Sequence, residues 1–139
     1  MIKLLLILCG FLPFKNADQM AKYINTVREY QNEMVAFKHI PDNIQYCKSP
    51  HKTAHERGGD CEDLATLAQY VLEKNGYYTQ LYRCFGRDVN HIVCDFQRGD
   101  VNGIISNTNV YYNISIGEYI TKYRYDAYKP YTTNWEDYE

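Results

Sequence analysis

The stretch from Asp60 to Ser106 leaves the chain little choice of architecture. Leu64, Leu67, Ala68, Val71 and Leu72 recur at helical spacing and form one apolar stripe. Asp60 supplies a capping side chain before the stripe, and Asn75-Gly76 closes it. Three runs with strand character follow, at 77–85, 90–96 and 102–106. The separators Gly86-Arg87-Asp88 and Arg98-Gly99-Asp100 are short turns, and short turns join antiparallel neighbours. The expectation is an α+β domain in which this helix packs on a small antiparallel sheet.

The flanking residues are read the same way. Asn16 and Asp18 favour a helix start, and Met20, Tyr23, Ile24, Val27 and Met34 keep helical spacing, which predicts a first helix over 18–37. Residues 39–60 are polar and punctuated by Pro and Gly, which predicts a long loop with one short helical turn. Loops of that length in a small domain are often functional. Ser115 with Glu118 caps a short third helix carrying Ile116, Tyr119, Ile120 and Tyr123. Residues 126–139 show no clean period. One domain over 18–139 is expected, with residues 1–17 set apart as an apolar segment. The run at 4–12 follows Lys3 and has signal-peptide length, so export and burial within the domain both fit it.

Composition removes several classes of function. With 15 Lys+Arg against 17 Asp+Glu, the formal charge of −2 gives no basic footprint for nucleic acid. No apolar run reaches the roughly 18 residues of a membrane-spanning helix. Tyrosine is abundant, at 15 of 139 residues, and eight of these lie between Tyr111 and Tyr138.

The chemistry is concentrated in Gly58-Gly59-Asp60-Cys61-Glu62-Asp63. Cys61 falls in the first turn of a helix, where free amides and the helix dipole favour a thiolate. The two glycines allow a close backbone approach. Glu62 and Asp63 oppose the thiolate, so a cationic partner is required. His91, at the start of the Asn90-His91-Ile92-Val93-Cys94 strand, is that candidate. A thiol–imidazole pair supplies a nucleophile and a general acid for the leaving group. A third group should orient the imidazole, and Asn107 at the end of the next strand can do so through its side-chain oxygen.

Residues 47–107 resemble the transglutaminase-like superfamily of cysteine enzymes, particularly its small bacterial cysteine proteinases. Gly59-Asp60-Cys61-Glu62-Asp63 is similar to the family's G-D-C-x-D nucleophile motif, Ser49-Pro50 to a stretch preceding it, and Asn90-His91-Ile92-Val93 to the histidine strand. Tyr128-Lys129-Pro130-Tyr131 and Asn134-Trp135 resemble the end of the bacterial branch. The resemblance implies a papain/transglutaminase-like core and acyl transfer on amide bonds. Peptide or isopeptide hydrolysis comes first, transamidation second, with a protein or peptide substrate and no cofactor. The family carries aspartate as third residue. Here the matching stretch is Ile105-Ser106-Asn107, in which Asn107 is the candidate and Ser106 the competing position. Gln45 or Tyr46 is a candidate second donor to the oxyanion, beside the Cys61 amide.

Two rival readings stand. Cys47, His51, His55 and Cys61 have zinc-compatible side chains, although their spacing fits no common finger. Alternatively, the fold serves as a non-catalytic binding module, with the C-terminal tyrosines as an adhesive surface.

Overall fold

Asp60 and Asp63 fix where the central helix begins, because each side chain accepts a hydrogen bond from the other's backbone N–H. The bonds are 2.9 Å to Asp60 Oδ1 and 3.1 Å to Asp63 Oδ2, a complete capping box. The computed structural model describes residues 14–41, 47–86 and 90–138. In chain order the elements are α1 (Ala17–Tyr23), α2 (Val27–Met34), β1 (Lys38–His39), α3 (Pro50–Glu56), β2 (Gly58–Gly59) and α4 (Cys61–Lys74). There follow β3 (Tyr78–Phe85), β4 (His91–Arg98), β5 (Val101–Ser106), β6 (Asn109–Tyr112), α5 (Ile116–Lys122), β7 (Ala127–Tyr131) and a 3-10 turn at Trp135–Tyr138.

The sheet order is β6-β5-β4-β3-β7, and every neighbouring pair is antiparallel. Helix α4 lays Leu64, Leu67, Ala68, Val71 and Leu72 on one face of it, against Leu81, Ile92, Cys94, Phe96 and Ile105. Each such burial contributes roughly 1.5–3 kcal/mol. Helices α1 and α2 extend this core with Met20, Ile24, Val27, Tyr30 and Met34. Phe14 belongs to the same core. On the opposite face a smaller cluster joins Cys84, Val93 and Ile104 to Ile116 and Tyr119 of α5. The protein is therefore an α+β fold with helix α4 packed on an antiparallel sheet.

Four details differ from the sequence expectations. The helix expected over 18–37 is two helices, because the chain extends at Ile24 and Thr26 starts α2 by accepting the Glu29 N–H at 3.1 Å. The apolar spacing runs through this break, so both helices bury their stripes on the same core. The polar loop holds a two-turn helix, α3, capped by Ser49 and opened by Pro50. It also holds β2, which pairs in parallel with β1. Strands β6 and β7 complete the sheet where no strand was expected. The readings of residues 1–13, of Gln45 and Tyr46, and of Arg87 and Asp88 in the first expected turn, lie outside the described residues.

One buried carboxylate ties the segments before α4 to the helix. Asp63 is fully buried, and its Oδ1 accepts the Lys48 N–H at 2.9 Å. Burial pushes its carboxyl up to about 6, although the Lys48 and Asp60 amides favour the charged form. Gly59 passes so close that a Cβ there would sit 2.6 Å from the Asp63 Cβ. Asp63→Ala leaves two buried amides without acceptors, and the expected cost is about 2–3 kcal/mol in urea unfolding at pH 7. The native carboxyl holds its proton to higher pH than the unfolded chain does, so this group's contribution falls as pH rises from about 4 to about 6. The penalty of Asp63→Ala should therefore be larger at pH 4 than at pH 7. An equal or smaller penalty at pH 4 would contradict the argument.

Candidate active site

The capping box places Cys61 at the first helical position of α4, facing the start of β4. The Ile92 backbone N–H points at the Cys61 sulfur, and Ile92 is the residue after His91. Cys61 and His91 both line one cavity of about 500 Å³. Side chains alternate along β4 and β5, so His91 and Val93 share a face with Ile104 and Ser106. On that face His91 Nε2 and Ser106 Oγ are 2.7 Å apart. The Tyr119 hydroxyl donates to the same Ser106 Oγ at 3.2 Å.

Asn107 falls elsewhere. It follows the last residue of β5 and takes the left-handed conformation, φ 55°, in the turn to β6. Its side chain lines the cavity, but its Oδ1 is buried with no hydrogen-bond partner among the described residues. The amide oxygen therefore does not meet the imidazole, and the side chain that does is Ser106. The physical reason is the alternation itself: one residue further along leaves the strand and its face.

Three neighbours were not singled out from sequence. His39 reaches the cavity because β1 pairs with β2 immediately before Cys61. Tyr125 stacks on His91, with ring centroids 6.3 Å apart and planes within 13°. Tyr119 stacks in turn on Tyr125 at 6.2 Å. Tyr119 was visible in the sequence as part of an apolar helical stripe, but nothing there marked its hydroxyl.

Electrostatically the helix start does not produce a free thiolate. Burial raises the Cys61 thiol above its ordinary range, and the charges of Asp60 and Glu62 raise it further. The Ile92 amide acts in the opposite direction and is outweighed. Glu62 is itself held by the Tyr131 hydroxyl. Among the described cysteines, Cys47, Cys84 and Cys94 are buried and Cys61 alone is partly exposed. Burial pushes Cys47 to about 12 and Cys84 to about 11.

The four zinc-compatible residues have separate commitments. The Cys47 thiol contacts Thr66, at 3.4 Å. His51 Nδ1 accepts the Ala17 N–H at 3.2 Å, and His55 Nδ1–H donates to the Phe14 carbonyl at 3.0 Å. Among the described residues no group of three or more His, Cys, Asp or Glu side chains is placed to hold a metal ion.

No family model and no curated protein sequence matches the chain. Solved structures do. LapG of Legionella pneumophila matches with a TM-score of 0.50 and 18% identity, over 75% of this chain and 59% of that one. Its calcium-bound form matches with the same TM-score and 19% identity, over 75% of this chain and 60% of that one. The chain thus spans about 60% of the length of the structures it matches. At this identity the likeness speaks for the fold alone: the chain shares the α+β fold of LapG, in keeping with the transglutaminase-like core that the sequence resemblance implied.

Proposed function

We propose that the chain is a cysteine-dependent hydrolase of peptide or isopeptide bonds, with Cys61 as nucleophile and His91 as general base and acid. The observation that carries this reading is the single cavity walled by Cys61 and by an imidazole whose Nε2 is held by Ser106. Burial keeps Tyr119 protonated, so its hydroxyl stays a donor to Ser106. Ser106 Oγ has a second lone pair to accept His91 Nε2–H. That tautomer leaves Nδ1 unprotonated, as a base for the Cys61 thiol.

The reaction then runs in two halves. Nδ1 takes the thiol proton as sulfur attacks the amide carbonyl carbon. The C–N bond breaks, and the same proton passes to the leaving amine, leaving a thioester on Cys61. His91 next deprotonates water, which attacks the thioester carbon and releases the acid and the thiol. A primary amine in place of water gives transamidation. The Cys61 backbone N–H at the helix start is oriented to stabilise the oxyanion.

Ser106 takes the role that the sequence suggested for Asn107. A hydroxyl orients the ring as an acceptor but carries no charge to stabilise an imidazolium. The Cys61 thiol therefore rests protonated, and activation occurs during attack.

Two expectations follow from this protonated thiol. Iodoacetamide should modify Cys61 ahead of Cys47, Cys84 and Cys94, with a rate that still climbs above pH 8, because the thiol is raised. A rate already flat below pH 7 would instead indicate a preformed thiolate–imidazolium pair. Modification is read by peptide mass mapping.

The second expectation concerns turnover, followed as casein hydrolysis and as dansylcadaverine incorporation. His91→Ala should lose on the order of 10²–10⁴-fold. Ser106→Ala should lose about tenfold and Asn107→Ala less, while Ser106→Asp should raise the rate by restoring a charged partner. Full activity in Cys61→Ala would remove Cys61 as the nucleophile and end the cysteine-hydrolase reading. No turnover by the wild type or by Ser106→Asp would favour the binding-module reading.

A further inference from the structure

Strand β6 is one edge of the sheet, and its outward side is unpaired. The Asn113 N–H donates to the Asn102 carbonyl at 2.9 Å, which sets the phase of the β5–β6 ladder. With that phase, Asn109 and Tyr111 bond inward to β5, and the N–H and C=O of Val110 point outward. Among the described residues nothing takes up those two groups. Unpaired edges of this kind are templates for another extended chain.

Beside this edge lies a second cavity, of about 370 Å³, between the end of α2 and the start of β6. Met34, Val35 and Phe37 supply an apolar wall, and Val110 forms the other side. Val35 is 88% exposed, the most of any large apolar side chain among the described residues. Helix α2 holds it there, because Met34 is buried in the core and anchors the turn. Asn109 and Tyr111 line both this cavity and the one holding Cys61 and His91. The two cavities therefore meet at the first residues of β6, one on either side of the strand.

We propose that a protein substrate lies extended along the free edge of β6, exchanging backbone hydrogen bonds with Val110. One of its apolar side chains sits against Met34, Val35 and Phe37, a few residues from the amide presented to Cys61. Backbone pairing supplies affinity and the apolar seat supplies register, as in other cases of strand addition. The occupant is a polypeptide in β conformation, because only a backbone offers the alternating donors and acceptors that Val110 lacks. This inference rests on the hydrolase reading for its scissile bond, but the groove is testable without catalysis.

The test uses Cys61→Ala, so that nothing is cleaved, and fluorescein-labelled decapeptides of serine, alanine and threonine with one leucine moved along them. Fluorescence polarisation should show one leucine position bound about tenfold more tightly than the rest. Val35→Asp, an exposed change that the core does not feel, should erase that preference. Methylating the backbone nitrogen of the residue opposite Val110 should weaken binding about tenfold, and methylating either neighbour should not. Absence of binding, indifference to leucine position and to Val35→Asp, or an N-methyl scan without alternation would overturn the proposal. The same peptides offered to the wild type separate the two readings. Peptides bound in this pattern but never cleaved keep the groove and remove the hydrolase, whereas cleavage without leucine preference does the reverse.

Discussion

The buried carboxylate of Asp63 is the interaction on which the arrangement around Cys61 depends. It accepts the Asp60 N–H within the capping box and the Lys48 N–H from the segment before α3. One side chain thereby fixes the helix start, the approach of Gly58–Gly59 and the position of residues 47–49. β2 in turn holds β1, through the Ile40 N–H donating to the Gly59 carbonyl at 2.8 Å, and β1 brings His39 to the cavity. Lys48 adds its ammonium to the Gly58 carbonyl at 2.8 Å, beside its ion pair with Glu56. A carboxylate so enclosed is costly to bury unless its lone pairs are met, and here the backbone meets them.

The same construction explains why Cys61 is not activated by position alone. A helix N-terminus favours an anion by a modest amount, within its first turn. Asp60 and Glu62, which flank the cysteine, and the burial of the sulfur all act against it. The acidic residues that build the helix start are thus partly at odds with thiolate formation. Tyr131 draws the Glu62 carboxylate into a hydrogen bond on the β7 side, and the Arg83 guanidinium lies 5.0 Å from the Tyr131 ring. The edge strand β7 therefore takes part in placing a charge next to Cys61.

Most of the architecture was legible in local patterns. The stripe of α4 and the turns at Gly86 and Gly99 imply the helix and the central strands β3, β4 and β5, because each signal is satisfied within its own segment. The capping box of Ser115 and Glu118 reveals α5 for the same reason. What escaped is set by partners far along the chain. The break at Ile24-Asn25-Thr26 is invisible because the apolar residues stay in step across it. Its exposed Asn25 carbonyl is taken by Arg98, 73 residues away. β6 and β7 carry mixed tyrosine patterns that mean strand only once β5 and β3 are beside them. At the candidate site, the elements that carry Cys61 and His91 could be read from local pattern. The choice between Ser106 and Asn107 turned on which residue ends β5, and a boundary one residue off exchanges the two faces.

The hydroxyl of Ser106 changes what the rest of the cavity must supply. A carboxylate beside an imidazole does two things: it holds the ring in one tautomer, and it stabilises the charge that appears when the ring takes a proton. Ser106, fixed by the Tyr119 donor behind it, does the first only. Ring orientation is reinforced by aromatic stacking, with Tyr125 against His91 and Tyr119 against Tyr125. At 6.3 Å between centroids Tyr125 lies beyond the roughly 6 Å reach of a cation–π contact, so the stack orients the imidazole without compensating its charge. The described lining of the cavity offers asparagines, tyrosines and a second histidine, with no carboxylate. In the proposed hydrolysis, the positive charge formed during attack is therefore compensated mainly by the oxyanion that forms in the same step. That coupling ties proton transfer to carbonyl attack, and it makes placement of the amide in the groove as important to the rate as the basicity of His91.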